Sequence, residues 1–437
     1  MIICTVGQDR CVRRGSVMSG SGGISQSLIA DARSGRPRSI ITHRMPRRSL
    51  LALLAAAPAA VVTACTGKTP SGPSPTVPTA TAAATDQASA GPKPANPTAS
   101  AGKVTVTTKG LTGGLAELAT ALYSGNDVRT TAATAILEQR RRPNTDEVVV
   151  TGSAGRWRGT PVGVLAHGDD LTFAVQRREG WTVVAGRWPS LGLHALSAGD
   201  RQFALIIGSD AREKQGESIT RSRGDTLHVC GVDGRGGAAI VGIPRDSWID
   251  GEKINAAMVF GGPAGQTAAV AKLTGLPVDH YVVTGFLGFQ RLVRAIGGVT
   301  VDSPGIPGRG IPKGVVRLKP EKALQFARER HMLPNGDFGR SANQQRLLAG
   351  LVLAMKTLGP TRFGSLVNAA SRLTETNLPA ENALQYAAWA WTIRPSKVGR
   401  AVATGGFGWR GSQSVVLLGS HAQTIFKDFA DGNLSHS

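Results

Sequence analysis

Four short stretches between Gly208 and Gln345 concentrate arginine and aspartate: GSDAR (208–212), RGDT (223–226), IPRDS (243–247) and ARERH…GDFGRSANQQ (327–345). Guanidinium forks bind phosphate oxygens bidentately, and carboxylates hold hard cations. Asp210 and Asp225 therefore read as candidate ligands for Mg2+ (or Mn2+). Arg245, Arg328, Arg330 and Arg340 supply the cationic forks, and Gln344 follows Arg340 by one helical turn on the same face. Such a set suits a metal-bound diphosphate, because arginines and a divalent cation stabilise the negative charge that develops on a leaving phosphate. A base for an acceptor hydroxyl is not singled out; Asp246, Asp337 or metal activation of the hydroxyl would each serve. Plainer readings exist for each residue taken alone. An Asp after Gly-Ser caps a turn, Asp225 pairs with Arg212 or Arg223, and Arg328 with Arg330 offsets the dipole at the end of a helix begun by Pro320. The convergence of several such residues at element ends favours a site.

Positioning these groups requires strands that end near one another. The runs FALIIG (203–208), TLHVCGV (226–232), AAIVGI (238–243), HYVVTG (280–285) and GVTVDS (298–303) read as core strands. Helical stretches at 263–274, 286–296, 320–330 and 341–358 alternate with them, which predicts an α/β sandwich. The turn at Asp233–Gly237 makes the sheet mixed, and SVVLLG (414–419) adds a further strand. Ends of α/β strands are where ligand groups gather. Met258, Val259 and Phe260, with Phe286, Leu287, Phe289 and Leu292, are apolar enough for a groove but fit ordinary packing better. Ahead of this domain, 103–198 reads as a small separate α+β module. A helix at 111–124 precedes the alternating runs EVVV (147–150), PVGVLA (161–166), LTFAV (171–175) and WTVVAGRW (181–188).

The first 102 residues speak of location. Residues 45–65, MPRRSLLALLAAAPAAVVTAC, carry a charged start and an apolar stretch short for a membrane span. The ending Val62-Thr63-Ala64-Cys65 suits lipidation at Cys65, which would hold the protein on the outer face of a bacterial membrane. Residues 1–44 sit awkwardly before such a signal and read as a mis-assigned start. Residues 66–102, rich in Pro, Thr and Ala, read as a disordered tether. The formal net charge of the 437 residues is +21, and residues 1–102 hold 11 Lys/Arg against 3 Asp/Glu. A basic chain invites a polyanionic partner. Export argues against nucleic acid, and no helix-turn-helix or aromatic RNA-binding motif stands out. Four cysteines without paired metal-ligand spacing predict no disulfide framework.

From about Phe203 to Leu353 the chain resembles the LytR-CpsA-Psr (LCP) family of bacterial cell-wall phosphotransferases. The likeness rests on LIIGSDAR, RGDT, GIPRDS, KINAAMVFGG (253–262), DHYVVTGFLGF (279–289), AIGGVTVDSP (295–304) and ARERH…GDFGRSANQQRLL, in matching order and spacing. The resemblance implies an α/β/α sandwich over 199–437 that binds a polyprenyl pyrophosphate-linked glycopolymer with Mg2+. It implies transfer of the glycan phosphate to a peptidoglycan sugar hydroxyl, releasing polyprenyl phosphate. By motif, Asp210 and Asp225 correspond to the metal-associated carboxylates. Arg245, Arg328, Arg330 and Arg340 correspond to the pyrophosphate-contacting arginines, supported by Asp337 and Gln344. Arg245, Asp337 and Arg340 form the expected catalytic group, and Lys253 and Asn255 fall in a matching motif. Anchoring departs from the transmembrane helix of many relatives, and Val259-Phe260 and Thr284-Gly285 replace more polar or aromatic residues. Two other readings stay open: hydrolysis of the same lipid diphosphate, and non-catalytic binding of anionic glycans.

Overall fold

The structure, a computed structural model, describes residues 103–434. The signal-like stretch with Cys65, the reading of 1–44 and the tether over 66–102 lie outside the described residues. Among the described residues no helix is long and apolar enough to cross a membrane.

The N-terminal module comprises β1 (Thr105–Lys109), α1 (Gly114–Ser124), β2 (Arg129–Thr130), β3 (Glu147–Trp157), β4 (Thr160–His167), β5 (Asp170–Arg177), β6 (Gly180–Trp188) and β7 (Leu193–Ser197). Strands β3 to β6 form an antiparallel meander within the order β1-β3-β4-β5-β6-β2, and β7 also pairs with β6. The two-residue link Arg158-Gly159 has positive φ at both positions, the turn whose twist matches paired strands. Period-two alternation gives this sheet two buried faces. Leu165, Ala174 and Val183 join Leu115, Leu118 and Leu122 of α1. Val164, Phe173, Val175 and Val184 face the opposite way, onto two helices from the C-terminal third of the chain.

The larger part begins with β8 (Gln202–Ser209), β9 (Gly224–Val232), β10 (Ala238–Gly242) and the short β11 (Trp248–Ile249) and β12 (Glu252–Lys253). It continues with α2 (Ala257–Thr274), β13 (His280–Thr284), α3 (Phe286–Ala295), β14 (Val299–Ile306), β15 (Ile311–Leu318), α4 (Pro320–Arg328) and α5 (Gly336–Leu358). The C-terminal third holds α6 (Pro360–Leu373), β16 (Glu375–Thr376), α7 (Ala380–Thr392), β17 (Val398–Val402), β18 (Gly405–Arg410), β19 (Gln413–Leu418) and α8 (Ser420–Asp428). Six strands form a mixed sheet in the order β16-β13-β8-β9-β10-β17. Phe203, Leu205 and Ile207 of β8 pack with Met258 and Val270 of α2 and Phe426 of α8 on one face. Helices α5 and α7 cover the other, giving the expected three-layer α/β/α arrangement.

Three expectations need correction. GVTVDS lies in β14, which pairs with β15 in a separate two-stranded ribbon; its core is shared with Val293, Ala323, Phe326 and Leu347. SVVLLG lies in β19, which pairs with β18 rather than with the central sheet. The edge strand there is β17, whose sequence VGRAV is too short and polar to stand out. Finally, the N-terminal module is not separate. Gly155 of β3 and Gly364 of α6 approach so closely that a Cβ at either would meet the other segment's backbone, at 2.5 and 2.0 Å. Ser153 Oγ donates to Pro360 O (2.6 Å), and Trp157 Nε1 donates to Leu378 O (2.8 Å). Phe363 is fully buried edge-on to Phe173, burial worth roughly 1.5–3 kcal/mol. Residues 103–434 fall within one compact unit.

Candidate active site

Register puts the floor of the site together. In the parallel β8–β13 pair, Ile206 lies beside Val282 and Gly208 beside Thr284. In the antiparallel β8–β9 pair, Ile206 opposes His228 and Gly208 opposes Thr226. Because Leu205 and Ile207 point into the core below, Ile206 points to the α5 side. Over this floor α5 presents Arg340, Gln344, Leu347, Leu348 and Leu351, spaced as one helical face. Helices α3 and α4 form the opposite wall, and together these elements enclose a cleft of about 860 Å³.

The cleft changes character along its length. One end gathers Asp225, Arg245, Arg330 and Arg340, with Arg328 over Phe286; further along α5 and α3 the lining is Leu347, Leu348, Leu351, Phe289 and Leu292, with Glu321 and Gln325 of α4. The α3 residues judged better suited to core packing thus include cleft-lining Phe286, Phe289 and Leu292. Met258 belongs to the core, and Phe260 is exposed on α2. Glu213 orients α3: its Oε2 accepts from Leu287 N (2.7 Å), at the positive end of the helix dipole.

Asp225 and Arg245 are ion-paired at 2.5 Å, each about one-fifth exposed. Arg245 rides on a tight turn in which Ser247 Oγ and Ser247 N both donate to Pro244 O. Lys253 and Asn255 buttress it. Lys253 Nζ pairs with Asp246 Oδ1 at 2.9 Å, and Asn255 N donates to Arg245 O at 3.2 Å. Neighbouring carboxylates push the Arg245 pKa up against the opposing effect of burial. Asp337 and Arg340, just ahead of the helix expected over 341–358, both lie within α5, and Asp337 in its first turn suits the dipole. Arg340 Nη2 lies 2.9 and 3.0 Å from the two carboxylate oxygens of Asp337, which is therefore engaged as a positioning group. Arg328 stacks over Phe286, 4.5 Å from the ring centroid, and has no carboxylate partner among the described residues. Arg330 lies beyond the helix end, donating from Nε to His331 Nε2 (3.3 Å).

Asp225 and Asp210 are close enough that Asp225's charge, after burial, raises the Asp210 pKa. Asp210 accepts from Arg223 N (2.9 Å) and stands at the end of β8 outside the cleft lining. Asp225 Oδ1 is buried without a hydrogen-bond partner among the described residues. That vacant oxygen and the adjacent carboxylate fit Mg2+, which takes one or two carboxylates and completes its shell with water and phosphate oxygens. No group of three potential metal-ligating side chains occurs among the described residues.

Two contributors escaped the sequence reading. Glu329, 1% exposed at its side chain, sits between Arg328 and Arg330. Its Oε1 accepts from Arg330 N, His331 N and Met332 N at 2.9–3.1 Å, and its Oε2 meets Arg309 Nε at 2.5 Å. The Arg309 bond and these amides hold its carboxyl below the usual range. Glu329→Ala should lower stability by about 2–4 kcal/mol, mainly by orphaning the three amides. Chemical denaturation checks this; a loss below about 0.5 kcal/mol would show that the 329–332 turn stands without its carboxylate.

His228 is the other. Its Nε2 lies 3.2 Å from Gln344 Oε1, and Gln344 Nε2 donates to Ala327 O (3.0 Å). Gln344 therefore accepts from a neutral imidazole whose buried Nδ1 has no partner among the described residues. Burial, reinforced by Arg340, brings the His228 pKa to about 4, against the opposing effect of Gln344. The folded state resists protonation, so stability is complete above the unfolded value near 6.5 and falls as pH drops toward 4. Between pH 7 and pH 5 the loss should be about 2 kcal/mol, and His228→Asn should flatten it. Equal pH slopes in the two proteins would contradict the assignment. A lone His in a strand gave no sequence signal, because its partner lies 116 residues away.

A second depression, about 600 Å³, lies in the N-terminal module beside Arg140–Arg142. Arg140 there is consumed by the carbonyls of Leu122, Leu137 and Asn126. Cys230, the cysteine among the described residues, is free, its thiol pushed up to about 12 by burial.

Residues 184–423 match the LytR_cpsA_psr family, more than half of the chain. A polyisoprenyl-teichoic acid–peptidoglycan teichoic acid transferase TagU of Bacillus anthracis is 31% identical over 185 residues, covering 40% of this chain and 59% of that protein. Its Enterococcus faecalis counterpart is 29% identical over 187 residues, covering 40% and 60%. The matches thus span less than two thirds of those transferases. Among solved structures, Bacillus subtilis TagV shares 24% identity and a TM-score of 0.47, covering 55% of this chain and 98% of that one. Lin1025 of Listeria innocua shares 25% identity and a TM-score of 0.44, covering 55% and 100%. The family match, running through the strands and helices that build the cleft, makes this chain a member of the LytR_cpsA_psr family.

Proposed function

We propose that the protein is an extracytoplasmic phosphotransferase that moves a glycopolymer from a polyprenyl pyrophosphate carrier onto peptidoglycan. The observation carrying this reading is one cleft that joins a cationic end to a largely apolar stretch, suited to a diphosphate head and a hydrocarbon tail. Membership of the family and likeness to transferases named for joining teichoic acid to peptidoglycan support it. Lipidation at Cys65 would place the site beside its lipid-borne donor.

In the reaction an acceptor hydroxyl oxygen bonds to the glycan-side phosphorus. The bond from that phosphorus to the bridging oxygen breaks, polyprenyl phosphate departs, and the hydroxyl proton passes to a base or solvent. Arg328 and Arg330, without carboxylate partners among the described residues, are available to the phosphates, while Arg245 and Arg340 are held in place by Asp225 and Asp337. This orients donors before charge develops. Mg2+ (or Mn2+) held by Asp225 and Asp210 would neutralise diphosphate charge.

The test combines purified protein, a polyprenyl pyrophosphate-linked oligosaccharide, Mg2+ and soluble peptidoglycan strands, with glycan transfer and lipid phosphate release both measured. Chelator-sensitive transfer is the expected result. Release without transfer would favour a hydrolase, and donor binding without turnover a glycan-binding surface protein.

A further inference from the structure

We propose that the β18–β19 ribbon seats the acceptor glycan, with Phe407 and Trp409 as stacking platforms for uncharged sugar rings; this rests on the transferase reading above. These side chains are 69% and 70% exposed, and two residues apart on a strand they project to one face. Isolated exposed apolar residues are ordinary, but adjacent large aromatics are a feature of binding surfaces. Sugar rings present C–H faces that pack on aromatic rings, while their hydroxyls stay solvated.

The ribbon is joined to the reacting end of the cleft at two points. Phe407 packs against Phe338, with ring centroids 5.6 Å apart, and Phe338 directly follows Asp337, the partner of Arg340. On the neighbouring strand, Val416 N donates to Asp246 O (2.9 Å), and the Asp246 carboxylate pairs with Lys253. An aromatic strip therefore leads outward from the residues expected to hold the diphosphate.

Charge and position favour a glycan over the two other occupants, a bilayer and an anionic polymer. Across 405–418 the only charged residue is Arg410, whereas either anionic surface calls for several cations. Along α5, the twelve residues from Arg340 to Leu351 carry the cleft about 16 Å from its charged end to its apolar end. The ribbon meets the charged end, so an acceptor lying on it would approach from the side away from the lipid.

The experiment uses the purified protein and soluble, uncrosslinked peptidoglycan glycan strands, with affinity read by calorimetry and acceptor and donor KM read by transfer. Phe407→Ala/Trp409→Ala together should weaken strand binding tenfold or more and raise acceptor KM similarly. Donor KM should be unchanged, and Trp409→Tyr should retain most of the affinity. Strand binding equal in the double variant and wild type would overturn the proposal. So would wild type that fails to bind strands, or a variant that loses only its binding to phosphatidylglycerol vesicles. Because strand affinity is measured without turnover, ribbon-dependent binding by a protein that transfers nothing would sink the transferase reading and leave the glycan seat standing.

Discussion

Arg245→Ala should lower saturated transfer by about 10³-fold or more while leaving the protein folded. Arg245 approaches the site from a turn braced by Ser247, Lys253 and Asn255, so its guanidinium is held before substrate arrives. Charge developing on the departing phosphate needs donors already in place, which is why a positioned arginine contributes more to the transition state than to donor affinity. Its loss also leaves Asp225 unpaired beside Asp210, adding uncompensated negative charge where the diphosphate must sit. Arg245→Lys keeps the charge but loses the fork, and should recover only a small part of the rate. The readout is kcat at saturating donor, with circular dichroism to confirm folding. A folded Arg245→Ala protein within tenfold of wild type would remove this arginine from the chemistry.

Leu348→Glu should weaken binding of a long-chain donor by roughly 50-fold and of a short-chain analogue far less. Leu348 lies on the cleft face of α5, one residue from Leu347, which joins the neighbouring core. Burying a methylene yields about 0.8 kcal/mol, so excluding three from the cleft corresponds to a factor of this size. A carboxylate there would also resist desolvation by the tail. Leu348→Met, which conserves volume, should bind almost as wild type. Affinities for donors of graded chain length decide the matter. Equal losses for long and short chains would mean that Leu348 touches no lipid.

Much of the placement of the charged residues around the cleft was readable in the order of residues, because the relevant types cluster where strands stop. Asp210 at the end of β8, Asp225 at the start of β9 and Arg245 just after β10 are fixed by local rules: apolar runs of strand length followed by Gly, Ser or Pro. Charged and polar ligands cannot occupy the buried middle of such strands without partners, so they collect at the ends. Helix periodicity likewise put Arg340 and Gln344 on one face before any fold was known.

What the chain order left open depends on distant segments. That Leu348 and Leu351 face a cleft rather than a core follows from α3 and α4 standing off the sheet on a ribbon core of their own. An apolar side chain has the same sequence signature in either place, since burial by protein and burial by lipid both select apolar residues. The N-terminal module looked separate because its strands pair locally; its union with α6 depends on two glycines 209 residues apart that admit close backbone contact. Glu329, flanked by arginines, carries no local sign of burial; its amide partners and Arg309 are brought to it by the fold. By itself, then, the sequence determined the chemical inventory, the strand ends that carry it and the period of α5. Tertiary structure alone decided which apolar faces remain uncovered and which charges are paired, because both depend on what packs opposite a residue rather than on its neighbours in the chain.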